Sequence, residues 1–304
     1  MIAVESAPAY LTVQDLGRRG HFADGVPRCG AMDGLALAAL NEMLGNSRDA
    51  AGLEWALSAG ELIFTEPATI ALGGAEAECR MDGAAVQQYR VLHAQPGDRL
   101  TVERIVDGRF LYVGVAGGIQ CERVLGSRST YLAGGFGGIG GRRLARGDTI
   151  LVQGRARRNR HQIMDSLPID LRPPRRIARI RAILRSAEPR ENICENEYRV
   201  SAASDRIGYR LEGATVRGAS ITSEPVCPGV IQLPPGGEPI VLMADGPTIG
   251  GYLIAGAVIS ADLGALAQLA PGEAVRFKAV SVIEAQSALR RCEKDLLAIR
   301  AWAL

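Results

Sequence analysis

The sequence predicts a mainly β fold with a few helices (α+β), built as two β domains, and three observations carry that prediction. First, a glycine followed by an acid and then an apolar run occurs at Gly60-Glu61, Gly97-Asp98, Gly147-Asp148, Gly237-Glu238 and Gly272-Glu273. In each pair glycine supplies φ > 0 for a tight turn and the acid stays in water. The residues that follow ("ELIF", "RLTV", "TILV", "EPIVLM", "AVRF") pack inward as a strand. Second, helix signals are sparse. Third, an arginine-rich stretch ending in two prolines interrupts the chain near its middle. Short strands punctuated in this way build barrels or sandwiches rather than βαβ units.

Taken in order, Asp33 is placed to cap a helix through "GLALAALNEML", with Gly45 as its stop. "RFLYVGVAGGI" reads as a strand. "GGFGGIGGRRLARGD", residues 134–148, contains a formal G-x-G-x-x-G at Gly135, Gly137 and Gly140. A dinucleotide fingerprint needs a strand directly before those glycines and a long helix after them. Here 15 residues separate Ile119 from Gly135, and a turn and another strand follow. These glycines instead permit close backbone approach in a loop, as at a barrel corner or a ligand rim.

Residues 154–174, "GRARRNRHQIMDSLPIDLRPP", read as a solvated linker, the alternative being a surface for an acidic partner. "RRIARIRAIL" then alternates as a half-exposed strand. Ser260 is placed to cap a helix through "ADLGALAQL" that ends before Pro271-Gly272, and a final amphipathic helix spans about 282–302. The expected division is an N-terminal β domain over 1–165, a linker over 166–175, a C-terminal β domain over 176–285 and a terminal helix over 286–304.

Composition excludes several functions. With 304 residues, 47% of them hydrophobic, the chain can bury a large core, and a formal charge of +2 gives no field for nucleic acid or a membrane surface. Lys278 and Lys294 are the only lysines. There is therefore no G-K-[ST] phosphate loop and no M-K-M biotin site, so any biotin arrives on another chain. The six cysteines form no C-x-x-C and no zinc-ligand spacing, so no metal is expected and the thiols read as reduced. No leader pattern opens the chain, and its longest apolar-looking stretch, "GGYLIAGAVISA", is too short to span a bilayer; the expected location is cytoplasmic.

Three polar clusters stand out: "TVQDLGRRGH", "LGSRSTYLAGG", and the pair "SDRIGYRLEG" with "ADGPTIGGY". Each mixes hydroxyls, an arginine and glycines, a composition suited to a small anionic or amide-bearing ligand. No G-x-S-x-G elbow is present, and His21, His93 and His161 carry no triad signature. Asp15, Asp205 and Asp245 lie in glycine-bearing polar loops, either as functional acids or as turn caps. Glu54, among apolar neighbours, reads equally as a buried structural acid.

Together "TVQDLGRRGH", "GVPRCGAMDGLALAALNEMLGN", "LYVGVAGGI", "VLGSRSTYLAGGFGG", "SDRIGYRLEG" and "GVIQLPPGGEPIVLMAD" resemble, in order and over about residues 2–290, the allophanate hydrolase subunit 2 family, also called KipA or the 5-oxoprolinase C subunit. The resemblance implies two cyclophilin-like β-barrel domains related to the carboxyltransferase region of urea carboxylase. It also implies a B-subunit-like (KipI-type) partner and an A-subunit-like protein, with which ATP-dependent opening of 5-oxo-L-proline to L-glutamate takes place. Two alternatives stay open: a biotin-dependent carboxyltransferase component, with biotin supplied in trans, for a urea- or amide-like substrate, and a non-catalytic regulator of the KipA type.

By position the resemblance implies catalytic roles for Asp15, Arg18, Asp205, Arg206 and Asp245. It implies substrate binding by Gln14, Ser127, Arg128, Ser129, Thr130, Ser204, Tyr209, Thr248, Gly250, Gly251 and Tyr252. The three arginines would hold a carboxylate or phosphate, and the backbone N–H groups of Gly250 and Gly251 an oxyanion. Where the family reads D-x-Q-T-T-G-G-Y-P, this chain has "DGPTIGGYL", read as a specificity loop.

Overall fold

A computed structural model of the chain describes residues 1–152, 166–174, 176–185 and 193–303. Most of the arginine-rich linker, with His161, lies outside the described residues. The chain forms two compact units: Met1–Gly17, Asp33–Pro173 and Glu293–Leu304 make the first, Arg18–Met32 and Pro174–Cys292 the second. Both are mainly β. No helix among the described residues is long and apolar enough to cross a membrane.

The first unit is one sheet of β1 (Ile2–Ser6), β2 (Tyr10–Gln14), β3 (Gly52–Ala56), β4 (Gly60–Phe64), β5 (Ala68–Met81), β6 (Ala84–Ala85), β7 (Val91–Ala94), β8 (Arg99–Val115), β9 (Ile119–Gln120) and β10 (Thr149–Val152). The order β2-β3-β8-β4-β1-β10-β9 is wound around the long β8. One edge of β8 pairs with β5; the other pairs with β4 over Arg99–Val102 and with β3 over Phe110–Val113. Register shifts between Gly74 and Cys79 bend the β5–β8 ladder and curl the sheet.

Alternation then sorts the faces. Leu11, Val13, Leu53, Trp55, Leu111 and Val113 enter the core. Thr12, Gln14, Glu54 and Tyr112 point to the other face, where Thr12 is registered on Glu54 and Glu54 on Tyr112. Helix α1 (Gly34–Met43) lies on that second face because glycines make room for it: a Cβ on Gly52 would come within 2.8 Å of Leu37 Cδ1, and one on Gly114 within 3.0 Å of Leu40 Cβ. Its ends follow the expectation. Asp33 accepts from the Ala36 N–H at 3.1 Å, and Gly45 stops it at φ 67°.

Four of the five glycine-acid turns use left-handed glycine, with φ of 97°, 90°, 81° and 86° at Gly97, Gly147, Gly237 and Gly272. Gly60 does not. It is glycine because a Cβ there would meet Trp55 Cζ2 at 2.6 Å and the Ser6 carbonyl at 2.7 Å. The glycine run of 134–141 answers in the same terms: Gly138 has φ 56°, its N–H donates to the Arg128 carbonyl at 2.9 Å, and a Cβ would lie 2.0 Å from Thr130 Oγ1. No helix intervenes between this run and β10, so the run packs against residues 128–130 rather than opening a helix.

In the second unit β11 (Ile180–Leu184), β12 (Glu197–Val200), β13 (Gly208–Gly213), β14 (Ser220–Pro225), β15 (Val230–Leu233), β16 (Ile240–Leu242), β17 (Ile249–Val258) and β18 (Ala274–Ala279) form one sheet. The order β11-β18-β12-β13-β16-β15-β17 returns to β11 through Ala182↔Val258, so it closes as a barrel, with β14 beside the start of β17. Tyr198, Tyr209, Leu211, Val241 and Phe277, none with exposed surface, fill it.

Two helices follow. The short α2 (Leu263–Ala267) begins at Asp262, not Ser260, and the Asp262 carboxylate caps no N–H there because it is held by the Arg181 N–H at 2.8 Å and guanidinium at 2.5 and 3.0 Å. Helix α3 (Val282–Ala303) opens on a reciprocal capping box: Ser281 Oγ accepts from the Glu284 N–H at 3.2 Å, while Glu284 accepts from the Ser281 N–H at 2.7 Å. From Glu293 onward it belongs to the first unit, where Arg300 and Arg48 both pair with the fully buried Glu42.

Candidate functional site

The residues singled out in the sequence divide between the two units. Gln14, Asp15 and Ser127–Thr130 lie in the first; Arg18, Ser204–Tyr209 and Asp245–Tyr252 lie in the second.

In the first unit Asp15 follows β2 directly, and its carboxylate takes four donors. Oδ1 accepts from Gly17 N–H at 2.8 Å, Ser127 Oγ at 2.7 Å and Ser129 Oγ at 2.5 Å; Oδ2 accepts from Arg128 N–H at 2.6 Å. Ser129 Oγ in turn accepts from the Asp15 N–H at 3.1 Å. With its lone pairs so engaged, Asp15 ties residues 127–130 to the end of β2. The Arg128 side chain turns to the Cys121 carbonyl and Gln120.

What this clamp positions is Gln14. Its Nε2 donates to the Thr130 carbonyl at 3.2 Å and to Thr12 Oγ1 at 3.0 Å. The carbonyl fixes which end of the amide is nitrogen, since only a donor can face it. Oε1 is then buried with no hydrogen-bond partner among the described residues, on a side chain with no exposed surface. A buried acceptor without a donor costs about 1–3 kcal/mol, which makes this oxygen a candidate acceptor for a ligand N–H. Beside it on the same face, Tyr112 donates to the buried Glu54 at 2.8 Å and accepts from the Asp33 N–H at 2.8 Å. Burial, followed by the neighbouring Glu54 charge, pushes the Tyr112 phenol well up, so it stays a donor.

In the second unit Arg206 and Asp245 form a buried bidentate pair, Nε–Oδ2 and Nη2–Oδ1 both 2.8 Å, and Nη2 also donates to the Gly30 carbonyl at 2.7 Å. Cys29 lies beside them. Its backbone is left-handed at φ 54° and its N–H donates to the Ala244 carbonyl at 2.9 Å. Burial and then the Asp245 carboxylate push its thiol up to about 12, against the opposing pull of Arg18 and Arg206, so it is no thiolate nucleophile. Arg18 is buried in the same cluster, only 2% exposed.

The other residues have partners close to them in the fold. Asp205 is exposed and caps its own turn, accepting from Ile207 and Gly208 N–H at 2.8 and 3.1 Å. Ser204 Oγ accepts from the Arg210 N–H at 3.0 Å, and Tyr209 donates to the Ala267 carbonyl at 2.6 Å inside the barrel. The stretch read as a specificity loop is a turn only as far as Thr248; Ile249, Gly250, Gly251 and Tyr252 begin β17, paired with β14. His21 pairs with Asp24 at the surface, and His93 with Thr69. No cluster of His, Cys, Asp and Glu fit to hold a metal ion occurs among the described residues.

Cys29, Gly30 and Tyr112 were not legible as site residues.

The carboxyltransferase domain family model, subdomains A and B, matches residues 24–279. The 5-oxoprolinase C subunit of Haemophilus influenzae is 37% identical over 309 residues, covering 99% of this chain and 98% of that protein. The 5-oxoprolinase C subunit of Escherichia coli is 35% identical over 313 residues, covering 100% of this chain and 99% of that one. The crystal structure of the K. lactis urea amidolyase matches with a TM-score of 0.89 at 25% identity over 98% of this chain, which spans only 20% of that larger protein.

Proposed function

The chain belongs to the carboxyltransferase domain family, and from that premise we propose that it is the C-subunit-like component of an ATP-dependent 5-oxoprolinase, opening 5-oxo-L-proline to L-glutamate with A-subunit-like and B-subunit-like partners. The observation that carries this reading is end-to-end likeness, at 35–37% identity, to two proteins that bear the name of that component. ATP use is assigned to the partners, because the glycine run of 134–141 packs on Thr130 and the two lysines are Lys278 and Lys294. In the ring opening a lactam N–H must be held while its C–N bond is broken by water. Gln14 Oε1 supplies an acceptor for that N–H, and the Asp15 clamp holds Gln14 through Thr130.

The test is Gln14→Met in the assembled complex, which keeps side-chain volume and removes the acceptor. A fall of about tenfold or more in kcat/KM for 5-oxo-L-proline is expected, from a lost hydrogen bond worth about 1–3 kcal/mol. A variant as efficient as the natural chain would remove Gln14 from the site.

One observation favours a second reading, a biotin-dependent carboxyltransferase component for a urea- or amide-like substrate with biotin brought by another chain: the fold match to the urea amidolyase covers nearly the whole chain. A urea N–H would suit Gln14 as well as a lactam N–H does.

A further inference from the structure

Strand β15 carries Gln232 on the face it shares with Val230, registered between Ile240 of β16 and Ile254 of β17. The side chain is 4% exposed, and its Nε2 is buried with no hydrogen-bond partner among the described residues. Its neighbours Val230, Ile240 and Ile254 belong to an apolar cluster with Val226 and Leu242. The amide fits there because of one glycine: a Cβ on Gly250 would lie 2.2 Å from Nε2 and 3.2 Å from Val226 Cγ1, so the nitrogen occupies the slot that a side chain would fill. Along β17 the residues Gly250, Tyr252 and Ile254 share one face by alternation. Tyr252, two residues beyond Gly250 on β17, is 40% exposed.

A buried donor left unmatched in an apolar pocket is destabilising, and the same volume is available to methionine at no such cost. We propose that Gln232, seated over Gly250, forms a subsite of the second unit for a small molecule bearing a carbonyl or carboxylate oxygen, with the Gln232 N–H as donor to that oxygen. The subsite rests on the oxoprolinase reading only in the choice of probe: 5-oxo-L-proline carries both a planar lactam and a carboxylate.

The experiment uses the full chain and three variants: Gln232→Met, Gly250→Ala, and the double change Gln232→Ala with Gly250→Ala, in which the new Cβ fills the emptied slot. Thermal unfolding and ligand-observed NMR with 5-oxo-L-proline are measured on each. The natural chain is expected to bind the probe. Gln232→Met and the double variant are expected to unfold within about 2 °C of it and to bind about tenfold or more weakly. Gly250→Ala alone displaces the amide and weakens binding likewise.

Three results overturn the subsite: no binding by the natural chain at about 10 mM probe, unchanged affinity in Gln232→Met, or a Gln232→Met chain that unfolds more than about 6 °C lower, which would make the amide a structural group. Failure of the wider reading looks different. Turnover of 5-oxo-L-proline by the assembled complex, equal with Gln232→Met, sinks the subsite and leaves the oxoprolinase reading intact. Gln232-dependent binding without any turnover does the reverse.

Discussion

Replacing Asp15 with alanine is expected to lower the stability of the chain by about 3–5 kcal/mol, one of the two largest single-residue effects expected in this protein. Four donors converge on this one carboxylate, two of them serine hydroxyls on side chains 1% exposed or less. Alanine leaves them with no acceptor, and a buried group that loses its partner costs about 1–3 kcal/mol each, partly relieved where water enters. Asp15→Asn keeps the shape and half the acceptors but turns an N–H toward a donor, so it falls between. Urea unfolding read by tryptophan fluorescence checks the order natural, Asn, Ala. A loss below about 1 kcal/mol for Asp15→Ala would mean that residues 127–130 hold their conformation without the clamp. The same variant should lose catalytic efficiency in step with Gln14→Met, because Gln14 is reached through Thr130.

The second large effect is at Arg206. Lysine keeps the charge but brings one ammonium where a planar fork now meets both oxygens of Asp245 and the Gly30 carbonyl. Breaking a buried pair on one side costs about 3–5 kcal/mol, and Arg206→Lys, with its charge retained, is expected to cost about 2–4. The double change Arg206→Met with Asp245→Leu removes both charges and is expected to recover most of that loss. Equal stability of Arg206→Lys and the natural chain, measured by the same unfolding, would show that the pair contributes no geometry-dependent stability.

Much of the architecture was legible in local chemistry. Asp33 and Gly45 bracket α1 as their capping preferences require, and glycine-acid turns at Gly97, Gly147, Gly237 and Gly272 open β8, β10, β16 and β18. Where reading the sequence went astray, the determinant was tertiary. Gly60 and Ser260 carried the right local signals, but one is glycine for want of space beside Trp55, and the other yields its capping role to Asp262, whose own side chain is taken by Arg181. The site was legible only in its residue types. "TVQD" and "GSRST" each contain hydrogen-bonding side chains, but only the register of β2 on β3 and the reach of Asp15 across more than a hundred residues decide that Asp15 is a clamp and Gln14 the group with an oxygen to spare. Likewise "SDRIGYR" and "MADG" gave no sign that Arg206 and Asp245 face each other, nor that Cys29 is their neighbour.

The measurement that tests the central proposal most directly is the formation of L-glutamate from 5-oxo-L-proline and ATP by purified A-subunit-like and B-subunit-like proteins, with and without this chain, in a mixture free of any biotin carrier. Oxoprolinase function predicts glutamate appearing with ADP in equal amounts, only when all three proteins are present, and no change when a biotinylated carrier is added. Glutamate formed equally well without this chain, or formed only once the biotin carrier is supplied, would contradict it.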